Sequence, residues 1–221
     1  MELPNYRLLG ILRSESITMP WRYRELVQGW IYEHLGELGK TIHDAPFSLF
    51  TYSFSSPTYA ITDQGIKSEL WCFRIASVYK EVLERLEQEL NQGIELNNIY
   101  FTPLLVSKEL LVNQDRFASD PIIVFSRDKE KRFLNPIIDQ DFGKAVAASL
   151  KKRYEYYTGK PSPEVSFRFV TQPIARKLQY QNRRLIGFQG DIVLETTPEM
   201  RKFAQCIGLG VKTSCGMGMI A

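Results

Sequence analysis

The sequence has few of the residues that bind metal ions or form disulfides. Its 221 residues include two histidines and three cysteines, and the cysteines, Cys72, Cys206 and Cys215, form no C-x-x-C pair. An odd number of widely spaced cysteines favours neither a disulfide framework nor a zinc site. We therefore interpret them as small core or loop residues and predict no metal and no cofactor.

Long hydrophobic segments are also absent. No apolar run approaches the roughly 18 residues of a membrane helix, and the opening MELPNYRLL lacks the basic and apolar regions of a signal peptide. Hydrophobic residues make up 44% of the chain and charged residues 24%, a composition typical of globular proteins. The length allows one large domain or two of roughly 100 residues each, and we expect a cytoplasmic protein without membrane contact.

The basic residues are concentrated towards the end of the chain. Residues 1–150 carry 16 Lys and Arg against 20 Asp and Glu, whereas residues 151–221 carry 12 against 5. This asymmetry indicates one face suited to a polyanion, although basic runs such as KKR at 151–153 are also typical of a solvated helix surface. The basic candidates are Lys151, Lys152, Arg153, Arg168, Arg176, Lys177, Arg183 and Arg184.

The first half of the chain shows the pattern of strand, helix, two strands, helix and strand. In the first helix, Val27, Trp30 and Ile31 recur at helical spacing and so face a core. The six segments are YRLLGIL, TMPWRYRELVQGWIYEHLG, FSLFTYSFS, SELWCFRIA, VYKEVLERLEQELNQG and IYFTPLLVS. This βαββαβ order predicts a ferredoxin-like unit, in which two helices cover one face of an antiparallel sheet.

The same order repeats after a polar segment, NQDRFASDP, which we interpret as a linker. The second set comprises strand IIVFS, helix DFGKAVAASLKKRYEYYTG, strands VSFRFV and RLIGFQGDIVLE, a helix starting at TTPEMRKFAQ and a closing strand GMI. Thr197 is the predicted N-cap of the last helix, with Pro198 in its first turn. The predicted fold class is α+β, with two tandem ferredoxin-like units in residues 1–112 and 121–221.

The last segment, IGLGVKTSCGMGMIA, is unusually rich in glycine. It contains two G-x-G pairs separated by five residues, formed by Gly208, Gly210, Gly216 and Gly218. Such clusters mark positive φ angles or close approach to the backbone, but the spacing fits neither the dinucleotide-binding fingerprint nor the Walker phosphate loop. With Lys212, Thr213 and Ser214 between the pairs, this glycine loop is suited to holding phosphates. A tight structural turn is the alternative.

The glycine loop, the first helix ending in WIYEHLG and the following stretch IHDAPFSLFTYS resemble the CRISPR-associated repeat-processing endoribonucleases of the Cas-six type. The resemblance spans nearly the whole chain. It implies cleavage of CRISPR repeat RNA without metal, by attack of the substrate 2'-hydroxyl, leaving a cyclic phosphate and a 5'-hydroxyl. A non-cleaving RNA-binding subunit of a CRISPR effector complex is the alternative. Association with other effector subunits, or into a homodimer, stays open.

The resemblance implies a catalytic role for two residues of the first unit. His43 lies in the predicted loop KTIHDAP and matches the family's catalytic histidine, a side chain suited to proton transfer near neutral pH. Tyr32 lies nearly opposite the apolar stripe of the first helix, and in some members of the family a tyrosine here assists the histidine; an exposed tyrosine, or one that packs in a second interface, is the alternative. His34 falls on the stripe, so we predict that it packs.

The remainder of the catalytic site departs from the family pattern. A lysine that completes the site in some relatives has no counterpart in DAPFSLFTYS, and Lys40 and Lys212 are the alternatives. The pair His43 and Asp44 is shared with metal phosphohydrolases, but those enzymes need further histidine and aspartate ligands. Asp44 is therefore interpreted as a turn cap or as a residue that orients His43.

RNA contacts are predicted in the glycine loop and in the basic segment ARKLQYQNRR, which has the pattern of a β-hairpin. This segment mixes basic residues with amides and Tyr180, a combination suited to both phosphates and bases; an ordinary polar loop is the alternative. The predicted RNA-binding residues are Gly208, Gly210, Lys212, Thr213, Ser214, Gly216 and Gly218 in the loop, and Arg176, Lys177, Arg183 and Arg184 in the hairpin.

Overall fold

The computed structural model describes residues 2–126, 132–181 and 183–221. It contains two α+β units, each built on an antiparallel sheet, and the order of helices and strands repeats from one unit to the next. The predicted fold class of two tandem ferredoxin-like units is therefore confirmed. Within the described residues, no helix has the length and apolar character needed to cross a membrane.

The first unit forms a six-stranded sheet covered by three helices. Its elements are β1 (Tyr6–Pro20), α1 (Tyr23–Leu35), α2 (Glu37–Asp44), β2 (Phe50–Ser55), β3 (Ala60–Thr62), β4 (Gly65–Ser77), α3 (Lys80–Gln92), β5 (Ile94–Leu96) and β6 (Ile99–Leu110). The strand order is β2-β4-β1-β6-β5, with β3 paired to β4. The order β2-β4-β1-β6 is that of the four ferredoxin-like strands, and β3 and β5 are short additions to it.

The second unit repeats this plan with fewer strands. Its elements are β7 (Arg116–Ile122), α4 (Phe142–Thr158), β8 (Ser166–Phe169), β9 (Ile174–Tyr180), β10 (Arg183–Glu195), α5 (Pro198–Ile207) and a 3-10 turn (Thr213–Cys215). The sheet order is β7-β10-β8, and β9 pairs with the first half of β10 as a hairpin. The predicted closing strand is reduced to one bridge, between Ile220 and Ser119 of β7.

The predicted linker is wrong, because most of NQDRFASDP forms β7. The strand begins at Arg116, five residues before the predicted start of the second unit, and pairs with β10. Most positions of β7 can hold polar residues, because the only buried residues of this strand are Phe117 and the last two, Pro121 and Ile122. The apolar segment IIVFS extends past the strand, where Ile123 forms a bridge to Val211 of the glycine loop.

The helices follow the sequence pattern more closely than the strands do. The buried residues of α1 include Val27, Trp30 and Ile31, as predicted, although α1 begins at Tyr23 and the preceding residues through Pro20 belong to β1. In α5 the Thr197 hydroxyl accepts a hydrogen bond from the Met200 amide, with an N···O distance of 3.3 Å. The predicted N-cap is therefore confirmed.

The two units share an apolar interface. Leu49 and Val78 of the first unit are buried in the same cluster as the core of the second unit. Polar contacts reinforce this interface, because the Arg7 guanidinium donates to the Ile220 carbonyl at 2.9 Å. The Gln205 side chain forms two hydrogen bonds with the backbone of Val112, between the units. The end of the chain is thus held against the first unit.

Candidate functional site

The glycine loop is packed tightly between the two units. All four of its glycines are buried and have positive φ angles, at Gly208 (71°), Gly210 (78°), Gly216 (74°) and Gly218 (69°). A Cβ at any of them would lie less than 3 Å from another protein atom, including Thr51 Oγ1 at Gly208 and the Tyr52 ring at Gly216. The glycines are therefore required for packing of the backbone in this loop.

We expect Gly218→Ala to lower the free energy of unfolding by roughly 2–5 kcal/mol, the sum of left-handed backbone strain and overpacking. A Cβ at Gly218 would collide with the backbone of Leu209, a fully buried residue. Gly159→Ala is the matched control, because Gly159 has a φ of 67° but open space around its Cβ position. Urea unfolding of both variants measures the difference, and equal losses would contradict the steric explanation.

Only part of the loop is exposed to a ligand. Lys212 is exposed, Ser214 is half-buried and Thr213 is buried. The Lys212 ammonium lies 5.4 Å from the centre of the Tyr180 ring, within range of a cation–π interaction. Lys212 and Ser214 are thus the loop side chains placed to meet an anion.

One face of α1 contacts the loop residue by residue. The Arg24 Nε donates to the Gly216 carbonyl at 3.4 Å, and one turn later the Gln28 amide donates to Cys215 Sγ at 3.6 Å. One turn further along the helix, Tyr32 lies beside the Ser214 hydroxyl. Burial raises the pKa of the Tyr32 phenol, and the hydrogen bond with Ser214 acts in the opposite direction. These residues are four apart and so share a helix face, which flanks the apolar stripe. Tyr32 is therefore not opposite the stripe as predicted, because its ring is partly buried and packs against the core of the first unit.

His43 lies beside Tyr32, but in a helix rather than in the predicted loop. It occupies the last turn of α2, whose Gly39 and Ile42 are buried. The helix ends at Asp44, and Ala45 is extended because it precedes a proline. The imidazole and the Tyr32 ring meet edge to face, with centroids 5.4 Å apart. The sequence pattern missed α2 because eight residues carry too short a periodic signal.

The His43 ring is open to solvent on its remaining sides. Its side chain is 69% exposed, and Nδ1 lies 3.2 Å from Oδ1 of Asp44. The Tyr32 ring also packs against Phe50, with centroids 5.7 Å apart. Tyr32 therefore lies between β2, the glycine loop and His43, and Asp44 is placed to orient the imidazole.

The two lysines considered for the site lie apart from each other. Lys40 pairs with Glu37 on the exposed side of α2, and Lys212 lies over Tyr180. No group of three or more His, Cys, Asp or Glu side chains that could hold a metal ion occurs in the part of the chain that the structure describes. The residues grouped around His43 are thus Tyr32, Asp44 and, through Tyr32, Ser214.

The predicted hairpin is present and its tip is fastened to α1. Strands β9 and β10 pair from Ile174 to Gln189, and Asn182 in the turn lies outside the described residues. The Tyr180 hydroxyl donates to Gln28 Oε1 at 2.6 Å, and the Gln181 amide donates to Glu25 Oε1 at 2.8 Å. The same helix therefore holds both the hairpin and the glycine loop.

A cleft of about 590 Å³ separates the hairpin from the end of β2 and the start of α1. The basic residues that line it are Arg24, Arg176, Lys177 and Arg184. Arg183 is exposed at the hairpin tip and does not line the cleft. Trp21 and Tyr59 add exposed aromatic rings. The sequence analysis did not identify Arg24, Trp21 and Tyr59 as candidates. The sequence features that could have indicated them are the position of Arg24 off the apolar stripe and the position of the two aromatic residues in polar turns.

Among the described residues that line this cleft, one acidic group, Asp120, accompanies the cations. Asp120 lines the cleft near the Ser53 hydroxyl and the Arg24 guanidinium. Its burial raises the pKa of the carboxyl, whereas Ser53 and Arg24 act in the opposite direction. The other charged residues that the structure describes in the lining are basic, so the cleft is suited to a polyanion.

Arg153 does not belong to the basic surface. It is buried, its guanidinium donates to the Ile207 carbonyl at 3.3 Å and the Gly208 carbonyl at 3.0 Å, and burial lowers its pKa to about 10. The prediction that Arg153 contacts a polyanion is wrong, because the helical position facing α5 places it inside the protein. Arg153 instead supports the start of the glycine loop.

Comparison with known proteins finds one family model that matches the second half of the chain and solved structures with a similar fold over nearly its whole length. The family model described as "CRISPR associated protein Cas6, C-terminal" matches residues 97–221. No curated protein sequence matches significantly. A structure described as that of a Cas6-related gene product from Pyrococcus furiosus is similar, with a TM-score of 0.83 and 20% identity over 99% of this chain and 98% of that chain.

Two further structures show the same fold. One, described as a RAMP protein that binds different RNA substrates, has a TM-score of 0.82 and 18% identity over 97% of this chain and 98% of that chain. Another, described as a Cas6 product complex, has a TM-score of 0.65 and 18% identity over 98% of each chain. At these identities the likeness establishes the fold, and the family model establishes the family.

Proposed function

We propose, from the premise that the chain belongs to the CRISPR-associated Cas6 family, that it binds CRISPR repeat RNA and cuts it without a metal ion. The observation that carries this proposal is the contact between His43 and Tyr32 beside the glycine loop. An exposed imidazole next to a fixed phenol is suited to proton transfer on a bound substrate. The basic cleft, a short distance along α1, supports RNA as that substrate.

In the proposed reaction the RNA supplies its own nucleophile. The 2'-oxygen upstream of the scissile phosphate attacks phosphorus, the bond to the 5'-oxygen breaks, and a 2',3'-cyclic phosphate and a 5'-hydroxyl result. His43 removes the proton from the 2'-hydroxyl or delivers one to the leaving 5'-oxygen. The Tyr32 and Ser214 hydroxyls orient the phosphate and donate hydrogen bonds as its charge increases. Lys212 adds a cation to the same side of the loop.

RNA binding is proposed to extend from this site into the cleft. Arg176, Lys177 and Arg184 are suited to phosphates, and the rings of Trp21 and Tyr59 are suited to stacking of unpaired bases. Because the hairpin tip is hydrogen-bonded to α1, the RNA-binding surface and Tyr32 are fixed to one helix. A strand held in the cleft is thereby positioned relative to His43.

A non-cleaving RNA-binding subunit is the second candidate. It is favoured by the lysine missing from the stretch after His43 and by the similar structure described as a RAMP protein that binds different RNA substrates. Incubation of the purified protein with repeat RNA in EDTA separates the two candidates. Discrete fragments with cyclic-phosphate ends support the endoribonuclease, whereas intact RNA that stays bound supports the binding subunit.

We expect Lys212→Asn to weaken binding to RNAs of different sequence and to lower the salt dependence by about 0.7 in the log-log slope, the contribution of one phosphate contact on a single strand. Asparagine is chosen because Lys212 has a φ of 62°, a conformation that asparagine tolerates. Affinity is measured at several salt concentrations. The control is Lys160→Asn, an exposed lysine beyond the end of α4, and an equal change in slope for both variants would argue against a specific contact.

A further inference from the structure

A second cavity, of about 200 Å³, lies between α4, the glycine loop and the segment that follows His43. Gly216 lines the large cleft, whereas Gly210 and Val211 line this cavity. The same loop therefore separates two concave sites. The proposed cleavage reaction assigns no role to the smaller one.

Small side chains on α4 create the cavity. Ala145, Ala148 and Ser149 share one helix face and form one wall. The rest of the lining includes Phe47 and Phe125. Their neighbours hold both rings in place, because Phe47 contacts Tyr156 edge to face at 5.4 Å and Phe125 packs against Phe133 at 4.8 Å. The cavity is thus a preformed apolar slot with aromatic rings in its wall.

The slot lies close to the proposed catalytic site. Phe47 follows His43 by four residues, so their Cα atoms are at most about 15 Å apart. Val211, in the opposite part of the lining, directly precedes Lys212. The lining of the slot thus includes one residue four positions after His43 and one residue next to Lys212, so we expect RNA bound at these two side chains to come within reach of it.

Charge and size at the slot favour an unpaired base of RNA. Lys152 lines the cavity and is exposed, so a cation stands at its mouth, while the interior is apolar. The volume equals that of about six or seven waters at about 30 Å³ each, which suits one planar ring and not a folded peptide segment. An apolar slot with an aromatic wall and a cationic rim is the arrangement that binds single-stranded nucleic acid.

The geometry points to a base-binding subsite: the slot holds one unpaired base that flanks the scissile phosphate, with Phe47 against the base and Lys152 beside its phosphate. The assignment rests on the proposed binding of repeat RNA, but it does not require that the RNA be cut. It gives the protein a means to select the nucleotide at one position. A protein side chain from an effector subunit is the competing occupant.

The test is a set of repeat RNAs in which each nucleotide in turn is replaced by an abasic one, with affinity measured at equilibrium. For the native protein we expect one position near the cut to weaken binding by about 10-fold, the typical effect of one lost base–aromatic stack. Ala148→Phe fills the slot, so this variant should bind the intact RNA about 10-fold more weakly than the native protein does. Its affinity should fall no further when that one nucleotide is made abasic. Losses that are the same in both proteins at every position would overturn the assignment and leave a protein side chain as the occupant.

A second variant keeps the test valid if Ala148→Phe is unstable. Phe47→Leu retains apolar volume but removes the ring. It should weaken binding of RNAs that carry a base at the position that enters the slot, and should not change binding of the RNA that is abasic there. Thermal unfolding by circular dichroism checks that each variant is folded. If the native protein does not bind repeat RNA at all, both the proposed function and the subsite are wrong. If it binds, but no abasic position affects the native protein and the slot variants differently, only the subsite is wrong.

Discussion

Repeat RNA with a single 2'-deoxynucleotide immediately upstream of the scissile phosphate is expected to bind normally and to remain uncut. Its 2'-oxygen is the proposed nucleophile, so its removal leaves no attacking atom. The phosphates and bases that meet Lys212 and the basic cleft are unchanged. Affinity should therefore change by at most about one hydrogen bond, roughly 0.5–1.5 kcal/mol. Equilibrium binding and gel analysis of the fragments measure the two effects separately.

A 2'-deoxynucleotide placed one position further upstream is the matched control and should be cut at the normal rate. Efficient cutting of the first substrate would identify water as the nucleophile. Product ends with a free 3'-hydroxyl would lead to the same conclusion. Either result would overturn the mechanism while leaving the RNA-binding surface in place.

Replacement of His43 by alanine is expected to lower the single-turnover cleavage rate by about 10²- to 10⁴-fold, the usual contribution of a positioned acid or base. RNA affinity and stability should change little, because the imidazole is mostly exposed and its contacts in the described part of the chain, with the Tyr32 ring and the Asp44 carboxylate, are few. Cleavage under single-turnover conditions isolates the chemical step from product release.

His34→Ala is the control for this experiment. The His34 ring lies against Trp30 with centroids 4.6 Å apart, and its Nδ1 is 2.9 Å from the Trp30 carbonyl. Its loss should lower the free energy of unfolding by about 1 kcal/mol and leave the cleavage rate nearly unchanged. A normal cleavage rate in His43→Ala would mean that His43 takes no part in the reaction, and would favour the non-cleaving subunit.

Periodicity was sufficient to predict the elements that bury an apolar stripe. The stripe of α1 and the capped start of α5 were both predictable, because they depend on residues close together in sequence. The βαββαβ order followed from the same local patterns. Fold class was therefore accessible from the sequence alone.

Elements that are short, or that depend on distant partners, were predicted poorly. Strand β7 contains Arg116, Ser119 and Asp120, and it is a strand because β10 pairs with it. Helix α2 is stabilised by Gly39, which packs against the Tyr32 backbone, and by buried Ile42. Short elements of this kind owe their stability to tertiary packing more than to local propensity.

The candidate site could be predicted from the sequence only in part. Clustered glycines indicated positive φ angles, and all four have them. The packing of these glycines against Thr51, Tyr52 and Ile123 could not be predicted from the sequence, because those residues are more than 80 positions away in the chain. The cleft and the slot were missed for the same reason, since each combines residues of both units.

The register between α1 and the glycine loop limits how this protein can change during evolution. Arg24, Gln28 and Tyr32 meet Gly216, Cys215 and Ser214, one helical turn for each loop residue. An insertion or deletion between the two glycine pairs would displace all three partners at once, whereas a substitution at exposed Lys212 would displace none. Packing on α1 therefore constrains the length of the loop more strongly than it constrains the exposed side chain at Lys212, which is constrained by RNA binding, and among homologues we expect the five-residue spacing to be retained even where that side chain differs.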